Sequence, residues 1–547
     1  MSDSVAKSPA STVWGSDANA RRTRRRYAAD RRLRIYGLSA IGTAVLLLGL
    51  LIASLVYTGY TAFVQSKIDL EIYLDPSRID AQNPRDGNYR VIVRNAFDKL
   101  FPDVTSRGEK RQLNRILSTE SRFLVRQYVV DHPDMIGKTV KFALPLSDPF
   151  DQLNKGVIPA TIDALTKREQ EVFQGLVNRN VVQESGGRTT LKIDAYIDPE
   201  KVSADDPGSG DFKSIVREGI ANFFPGRSGS AYQRILAPDA GDAVRTQVLQ
   251  NTDLIGNTAS VEMPVSDAYD TLHKGGTPKI PNPRFSSAKQ IEWFDSLKQR
   301  GLIGTPFNWE LFFNSDSRFP EQAGLSGAIV GSFYTLLVCF LISFPVGISA
   351  AIYLEEFAPT NRVTDLIEVN INNLAAVPSV VFGLLGLAVF LSFFGLPRSA
   401  PLVGGMVLSL MTLPTIIIAT RAALKAVPPS IREAALGVGA SGHEVVFHHV
   451  LPLAMPGIMT GTIIGLARAL GETAPLLLIG MNAFITSAPG GILEPATALP
   501  TQIYSWADSP ERGFVSRTSA ATLVLLGFLL VMNAVAIFVR QKFERKW

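Results

Sequence analysis

The sequence predicts an all-α membrane bundle of six transmembrane helices joined to a duplicated α+β domain. Three observations carry that prediction. Six windows are apolar enough to cross a bilayer, basic residues cluster at consistent ends of them, and the long polar segment between the first two windows contains an internal repeat.

The 547 residues exceed one ordinary domain. Mean hydropathy is +0.16 although 19% of residues are charged, which requires nearly charge-free segments beside ordinarily polar ones. The formal charge is only +5, and eight arginines crowd between Arg21 and Arg34. Directly before an apolar span such a run fixes membrane orientation, so the expected partner is membrane lipid and no nucleic acid. The single cysteine, Cys339, falls inside an apolar window, which excludes an intrachain disulfide.

A bilayer core of about 30 Å needs roughly 20 apolar residues in a helix. The windows lie at about 36–59, 325–354, 371–394, 401–420, 456–481 and 518–539. The first apolar run is long for a signal peptide and is read as a retained anchor, 36–63, behind a basic cytoplasmic arm, 1–35. Arg421, Lys425 and Arg432 of the loop 421–455, and Arg540, Lys542, Arg545 and Lys546 at the C-terminus, then fall on the same side as the arm. Both termini are expected in the cytoplasm and the segment 64–322 outside it. Pro345 and Pro378 predict kinked spans, which a bundle tolerates.

The segment 64–322 repeats. Aligning Asp134–Gly156 with Asp253–Gly275 gives eleven identities in twenty-three positions, among them Gly137/Gly256, Pro145/Pro264, Asp148/Asp267 and Lys155/Lys274. Upstream, Tyr73/Tyr196, Asp75/Asp198, Pro84/Pro207, Arg94/Arg217 and Pro102/Pro225 match; downstream, Phe173/Phe294 and Leu176/Leu297 do. Two units follow, 66–184 and 189–304. Each reads as a short alternating strand (Leu70–Leu74; Leu191–Ile197), a helical stretch, a second strand and a closing helix (Thr166–Arg179; Ser287–Arg300). Thr166 with Glu169, and Ser287 with Gln290, fit capping boxes. The acid pairs Asp148/Asp151 and Asp267/Asp270 read as helix N-caps rather than cation ligands. Gly137-Lys138-Thr139 lacks the earlier glycine of a phosphate-cradling loop and reads as a turn.

The loop 421–455 contains Glu433-Ala434-Ala435, then Gly439, then Leu451-Pro452. Helix, glycine turn and second helix make a compact knob able to dock in a partner's groove. The spacing resembles the EAA loop of ABC import permeases: Glu-Ala-Ala, three residues, Gly, nine residues, an aliphatic, one residue, Leu-Pro. The departure is His449 at the aliphatic position, with Val450 beside it. Histidines 443 and 448 sit five apart, not the four a helical zinc motif needs, and no metal is expected.

In the fifth window Arg468 and Glu472 stand four residues apart, on one helix face, and can pair. Charges within a span normally face a cavity or the bundle interior. The pair serves either a path for an oxyanion, which an arginine fork suits, or a bridge between helices or subunits. The run Arg468-Ala469-Leu470-Gly471-Glu472-Thr473-Ala474-Pro475 resembles the RA-x-GETAP segment of phosphate importer permeases, and Asn373–Gly386 and Pro345–Glu356 resemble their other core spans. Ala498–Tyr504 resembles the outer loop of the PstA-type subunit.

The resemblance covers about 323–547 and implies a type I ABC importer permease core in a bacterial inner membrane. It implies a second permease of PstC type, an ATPase subunit dimer carrying ATP and Mg, and a periplasmic phosphate-binding protein, with no cofactor and no catalytic residue in this chain. By the same resemblance Glu433, Ala434, Ala435, Gly439, Leu451 and Pro452 couple to the ATPase, and Arg468, Glu472 and Thr473 line the substrate pathway. The long segment after the first span departs from the family's compact pattern; its absence from shorter relatives implies that it is dispensable for transport. Another oxyanion as cargo, or a membrane-anchored phosphate sensor, also fits these residues.

Overall fold

The computed structural model describes residues 17–224 and 234–543; Pro225, Arg545 and Lys546 lie outside them. The chain forms two compact units. One comprises residues up to 100, 117–151 and 302 onward, the other 101–116 and 152–301.

In the first unit, helix α1 (Asp17–Gly59) runs without a break from the arginine-rich stretch into the apolar window. At 1.5 Å per residue it is about 64 Å long, twice a bilayer core. It leads into strand β1 (Lys67–Tyr73), which pairs antiparallel with β2 (Thr139–Pro145) from Lys67↔Pro145 to Tyr73↔Thr139. The strand alternates buried Ile68, Leu70 and Ile72 with exposed neighbours, the pattern of a sheet covered on one face. A short strand, Ile303–Gly304, extends the sheet on the other edge of β1.

The same pairing recurs in the second unit. There Arg188–Tyr196 pairs with Thr258–Pro264 from Thr190↔Pro264 to Tyr196↔Thr258. Phe173, Leu176, Ile193, Val244, Val248, Met263 and Tyr269 fill its core. Helix Lys167–Asn178 has the expected capping box, Thr166 with Glu169. The second expected box does not form. Ser287 Oγ turns to the Gln112 side chain, Oε1 at 2.8 Å, and Gln290 Oε1 accepts from the Ser286 backbone N–H instead, so each has a competing partner.

The acid pairs are not N-caps either. Ser266 occupies the cap, and Asp267 and Asp270 lie in the first turn. Asp270 accepts from Thr189 N and Oγ1 at 2.9 and 2.7 Å, and bonds with Lys274 hold its carboxyl down to about 2. Asp151 accepts from Ser66 N at 2.7 Å. By register Ser66, just before β1, matches Thr189, the second residue of Arg188–Tyr196, so both acids fasten a strand's start.

Among the described residues, five helices are long and apolar enough to cross a bilayer, or six crossings if one bent pair counts as a span. They are α1, α2 (Ser326–Ile352), α5 (Pro401–Lys425), α7 (Leu451–Gly471, prolonged back to Gly442) and α10 (Gly513–Phe543). The window 371–394 is not one helix. It splits into α3 (Arg362–Ala375) and α4 (Ser379–Leu385), bent by 104° at Val377-Pro378. Pro378 has no N–H for the ladder and pushes its predecessor out of the α region. Between α5 and α7 lies α6 (Pro429–Gly437), and after α7 come α8 (Ala474–Leu478) and α9 (Leu499–Ala507).

Spans α2, α5 and α7 pack through small residues. A Cβ on Gly405 of α5 would stand 2.5 Å from Val338 Cβ of α2, and one on Gly457 of α7 would stand 2.7 Å from Ala423 Cβ. Apolar side chains gain nothing by leaving lipid for each other, so such close backbone approach supplies the dispersion energy that holds spans together. Leu336, Cys339, Val407, Met411, Ala469 and Leu476 form the core between them.

Glu321, just before α2, is buried, with its Oε1 accepting from Ser118 Oγ at 2.6 Å. Burial raises its carboxyl from 4.5 to about 7. A raised carboxyl stabilises the fold fully below 4.5 and loses that contribution as pH rises through 7. The wild-type unfolding midpoint is therefore expected to fall relative to Glu321→Gln across this window, by the equivalent of about 3 kcal/mol. Thermal unfolding of both proteins in detergent at several pH values checks it; parallel curves contradict it.

Candidate functional site

Two places concentrate charge and irregular backbone: the C-terminal end of the α7 helix and the loop that precedes it. Helix α7 stops at Gly471 because Pro475 has no N–H to donate to the Gly471 carbonyl. The continuous span expected over 456–481 is thus broken. Glu472 is extended (φ −79°, ψ 116°), and α8 restarts at Ala474. Gly383 of α4 lies against this restart; a Cβ there would be 2.7 Å from Pro475 Cα.

Arg468 sits in the last turn of α7 and its Nε lies 3.5 Å from Glu472 Oε1. The pairing survives although Glu472 has left the helix. Its neighbours Ala469 and Leu470 are buried, whereas the Arg468 side chain is 51% exposed and that of Glu472 22%. Thr473 is half-buried at the head of α8, its carbonyl accepting from Leu477 N. The three residues are thus consecutive around one break, with a partly free guanidinium and a helix N-terminus beside it.

The second place is the loop. Helix α6 carries Glu433 and Ala434 outward and buries Ala435 against Val445, Val446 and Val450. Gly439 closes the turn at φ +91°, a left-handed conformation that costs any L side chain. Val438 beside it is 85% exposed. Ser441 and Glu444 form a capping box for the second helix. A π turn at Val445–Val450 then feeds into α7, with Leu451 and Pro452 in its first turn. The π turn adds one residue to the helix period. It leaves His449 exposed and buries Val450, so the packing place passes to the next residue.

The base of the loop is clamped by ions that served in sequence reasoning only as topology signals. Helix α2 ends in a π turn, Tyr353–Phe357, that presents Glu355 and Glu356. Arg432 Nη2 reaches Glu356 at 2.8 Å and also donates to the Leu424 carbonyl, while its Nη1 donates to that of Val427. Arg421 pairs with Glu355 at 3.2 Å and with Glu368 of α3. The complementary signs of Glu355-Glu356 and of the three cations at 421, 425 and 432 were the available signal. Among the described residues no group of three or more His, Cys, Asp or Glu could hold a metal ion.

Residues 343–547 match the family model described as the binding-protein-dependent transport system inner membrane component, and residues 20–164 and 187–280 match one described as a domain of unknown function (DUF3333). The chain is 31% identical over 238 residues to the phosphate transport system permease protein PstA of Haemophilus influenzae, covering 43% of this chain and 82% of that protein. It belongs to the ABC transporter permease family. A second relative, "Probable ABC transporter permease protein YqgI" of Bacillus subtilis, is 30% identical over 244 residues, 42% of this chain and 82% of its own length. PstA 2 of Mycobacterium bovis is 32% identical over 245 residues, 44% and 79%. Among solved structures, the inward-facing MetNI methionine ABC transporter aligns at 18% identity and TM-score 0.32 over 40% of this chain and 98% of that chain.

As a permease subunit of an ABC importer, the chain is a multi-pass inner-membrane protein that works with ATPase subunits and a binding protein. Permeases of this family carry neither an ATPase domain nor a cofactor; the chain is not an enzyme. Gly439→Val forces a branched side chain into the left-handed region, at a cost of at least about 1–2 kcal/mol. The expected outcome is normal membrane insertion with the co-purified ATPase subunit much reduced. Full ATPase recovery would show that the shape of this turn does not matter for assembly.

Proposed function

We propose that the chain is the PstA-type permease of an inorganic phosphate importer, paired with a PstC-type permease and served by a periplasmic phosphate-binding protein. The observation that carries this reading is the half-exposed Arg468, held by Glu472 at the break between α7 and α8. Interrupted membrane helices place backbone N–H groups and unpaired side chains where cargo passes. A guanidinium there offers planar donors to a tetrahedral oxyanion, and the partial hold by Glu472 lets the anion exchange rather than stick. Thr473 adds a hydroxyl at the same break. The relatives named as phosphate transport permeases support the choice of phosphate.

The knob Glu433-Ala434-Ala435 to Gly439, with Leu451 and Pro452 at the root of α7, docks in the ATPase. Its motion reaches Arg468 along a single helix, since the second helix of the loop continues into α7. Both termini lie in the cytoplasm and residues 64–322 in the periplasm, as two copies of one fold, 66–184 and 189–304. The matching registers of their strand pairs and the matching roles of Asp151 and Asp270 support duplication.

Radiolabelled phosphate uptake in cells lacking their own permease, complemented with this chain and its partner subunits, tests the reading. Wild type is expected to transport, and Arg468→Gln, at equal membrane level, to lose at least about ten-fold in rate. Uptake of a different oxyanion by wild type, without phosphate uptake, would overturn the cargo.

A further inference from the structure

Between the short strand Ile303–Gly304 and α2 lies an aromatic run that neither transport nor coupling uses. Residues 307–313 include Phe307, Trp309, Phe312 and Phe313, and they end in a one-turn helix, Glu310–Phe313. Their side chains divide by face. Asn308 and Leu311 are fully buried, Leu311 in a core with Ala62, Leu325 and Leu499. Phe307, Trp309 and Phe313 turn outward and are 44%, 63% and 75% exposed.

Backbone bonds fix where this run stands. At one end, Asn308 N donates to the Phe63 carbonyl at 2.8 Å and Asn308 Nδ2 to the Ala62 carbonyl at 2.9 Å. Gln65 N donates to the Pro306 carbonyl at 3.0 Å. Residues 62–65 follow closely on the end of α1. At the other end, Leu325 N donates to the Leu311 carbonyl at 2.7 Å and Ser326 N to the Asn314 carbonyl at 3.0 Å. Ser326 is the first residue of α2. A Cβ on Gly324 would collide with the Asn314 carbonyl, so the turn into α2 admits only glycine. The run is thus pinned between the ends of two spans, at the level where both leave the bilayer.

The chemistry of the outward face says what covers it. Phe63 stacks on Phe307 and Phe312 with centroids 6.4 and 6.1 Å apart. Trp309 meets Phe307 edge-on at 4.7 Å and Phe313 at 6.3 Å. Tyr57 and Tyr60, before Phe63, are exposed as well. The one charge in the run, Glu310, turns to Lys67 Nζ at 2.7 Å, and both side chains are at most a quarter exposed. The outward face is therefore aromatic and uncharged. It also prolongs the surface of α1, whose apolar window buries none of its residues within the chain, as a helix facing lipid does. Aromatic rings at the ends of spans sit at headgroup level, with their apolar bodies toward the acyl chains. Irregular backbone enters such a layer only with its polar groups bonded, and the bonds to 62–65 and 325–326 serve that need.

We propose that residues 307–313 are a membrane-interface anchor, whose Phe307, Trp309 and Phe313 insert into the phospholipid headgroup layer on the side of residues 64–322. The partner is the bilayer surface, engaged through aromatic rings and not through charge. The anchor also holds the sheet. Glu310 binds Lys67 at the start of β1, and Ile303–Gly304 pairs with Lys67 and Ile68. The three-stranded sheet is thereby kept at the bilayer surface instead of standing off on a tether.

The test is a nitroxide depth measurement on the full chain in vesicles of phosphatidylethanolamine and phosphatidylglycerol. Cys339→Ala removes the native thiol, and Trp309→Cys or Phe313→Cys carries the label. Glu71→Cys, on the exposed face of β1, gives the aqueous reference, and Leu46→Cys, within the apolar window of α1, the lipid reference. Molecular oxygen concentrates in lipid, whereas a nickel chelate supplied on both sides stays in water. The ratio of oxygen to chelate collisions at 309 and 313 is expected to exceed that at 71 on the order of ten-fold and to fall short of that at 46. A ratio equal to that at 71 would overturn the proposal. So would exclusion of both reagents, which marks a face covered by protein. If the labelled variants do not fold, tryptophan emission decides: the difference between wild type and Trp309→Phe is expected to be quenched in brominated phospholipid, and an unquenched difference refutes the anchor. No transport enters either readout, so failure here leaves the phosphate reading untouched.

Discussion

A peptide group inside a bilayer has no water to bond, so every interruption of a membrane helix has to be compensated. That constraint organises this chain. Its long spans α2, α5 and α7 run unbroken where they pack against one another through glycine and alanine. Breaks fall where proline removes a donor, at Pro378 between α3 and α4 and at Pro475 between α7 and α8. The two breaks lie against each other: α4, which begins just after Pro378, packs on α8 through Gly383. Irregular backbone is thereby gathered in one place, and Arg468 and Glu472 stand beside it. The charges and the break have a common origin in a short stretch that ends in Thr473-Ala474-Pro475.

Much of this was legible in the sequence because it depends on local pattern. Apolar length located the spans, and alternation located β1 and its counterpart at Arg188–Tyr196. The interval between Glu433 and Pro452 located the loop. The four-residue step from Arg468 to Glu472 anticipated their contact. What was not legible depends on competition between partners. Ser287 had a capping partner at the right spacing, and Gln112, far away in sequence, took it. Asp151 had the composition of an N-cap, but the start of β1 uses it instead. The π turn at Val445–Val450 is likewise invisible to any fixed helical period. Its effect, exchanging His449 for Val450 in the core, explains why the loop departs from the family pattern at one position while keeping the packing.

The windows at 371–394 and 456–481 missed for a related reason. Hydropathy averages over a window and does not register whether one backbone donor is missing. Pro345, Pro414 and Pro456 lie inside helices that continue past them, whereas Pro378 and Pro475 coincide with ends. The proline itself does not decide. At Pro475 the carbonyl left free belongs to Gly471, whose conformational freedom makes leaving the helix easy.

Exposure sorts the arginines of the membrane part by what each can do. Arg468 is half exposed and only loosely paired, which leaves donors for something that comes and goes. Arg421 and Arg432 are largely buried against Glu355, Glu356 and Glu368, and Arg432 adds two carbonyls, so they brace the loop's root while its tip stays open to a partner. Arg517 is wholly enclosed, and its Nη1 donates to the Ala323 carbonyl just before α2. An enclosed charge cannot meet cargo or ATPase; its energy depends only on the groups that surround it. Its role is therefore to tie the start of α10 to the segment that precedes α2.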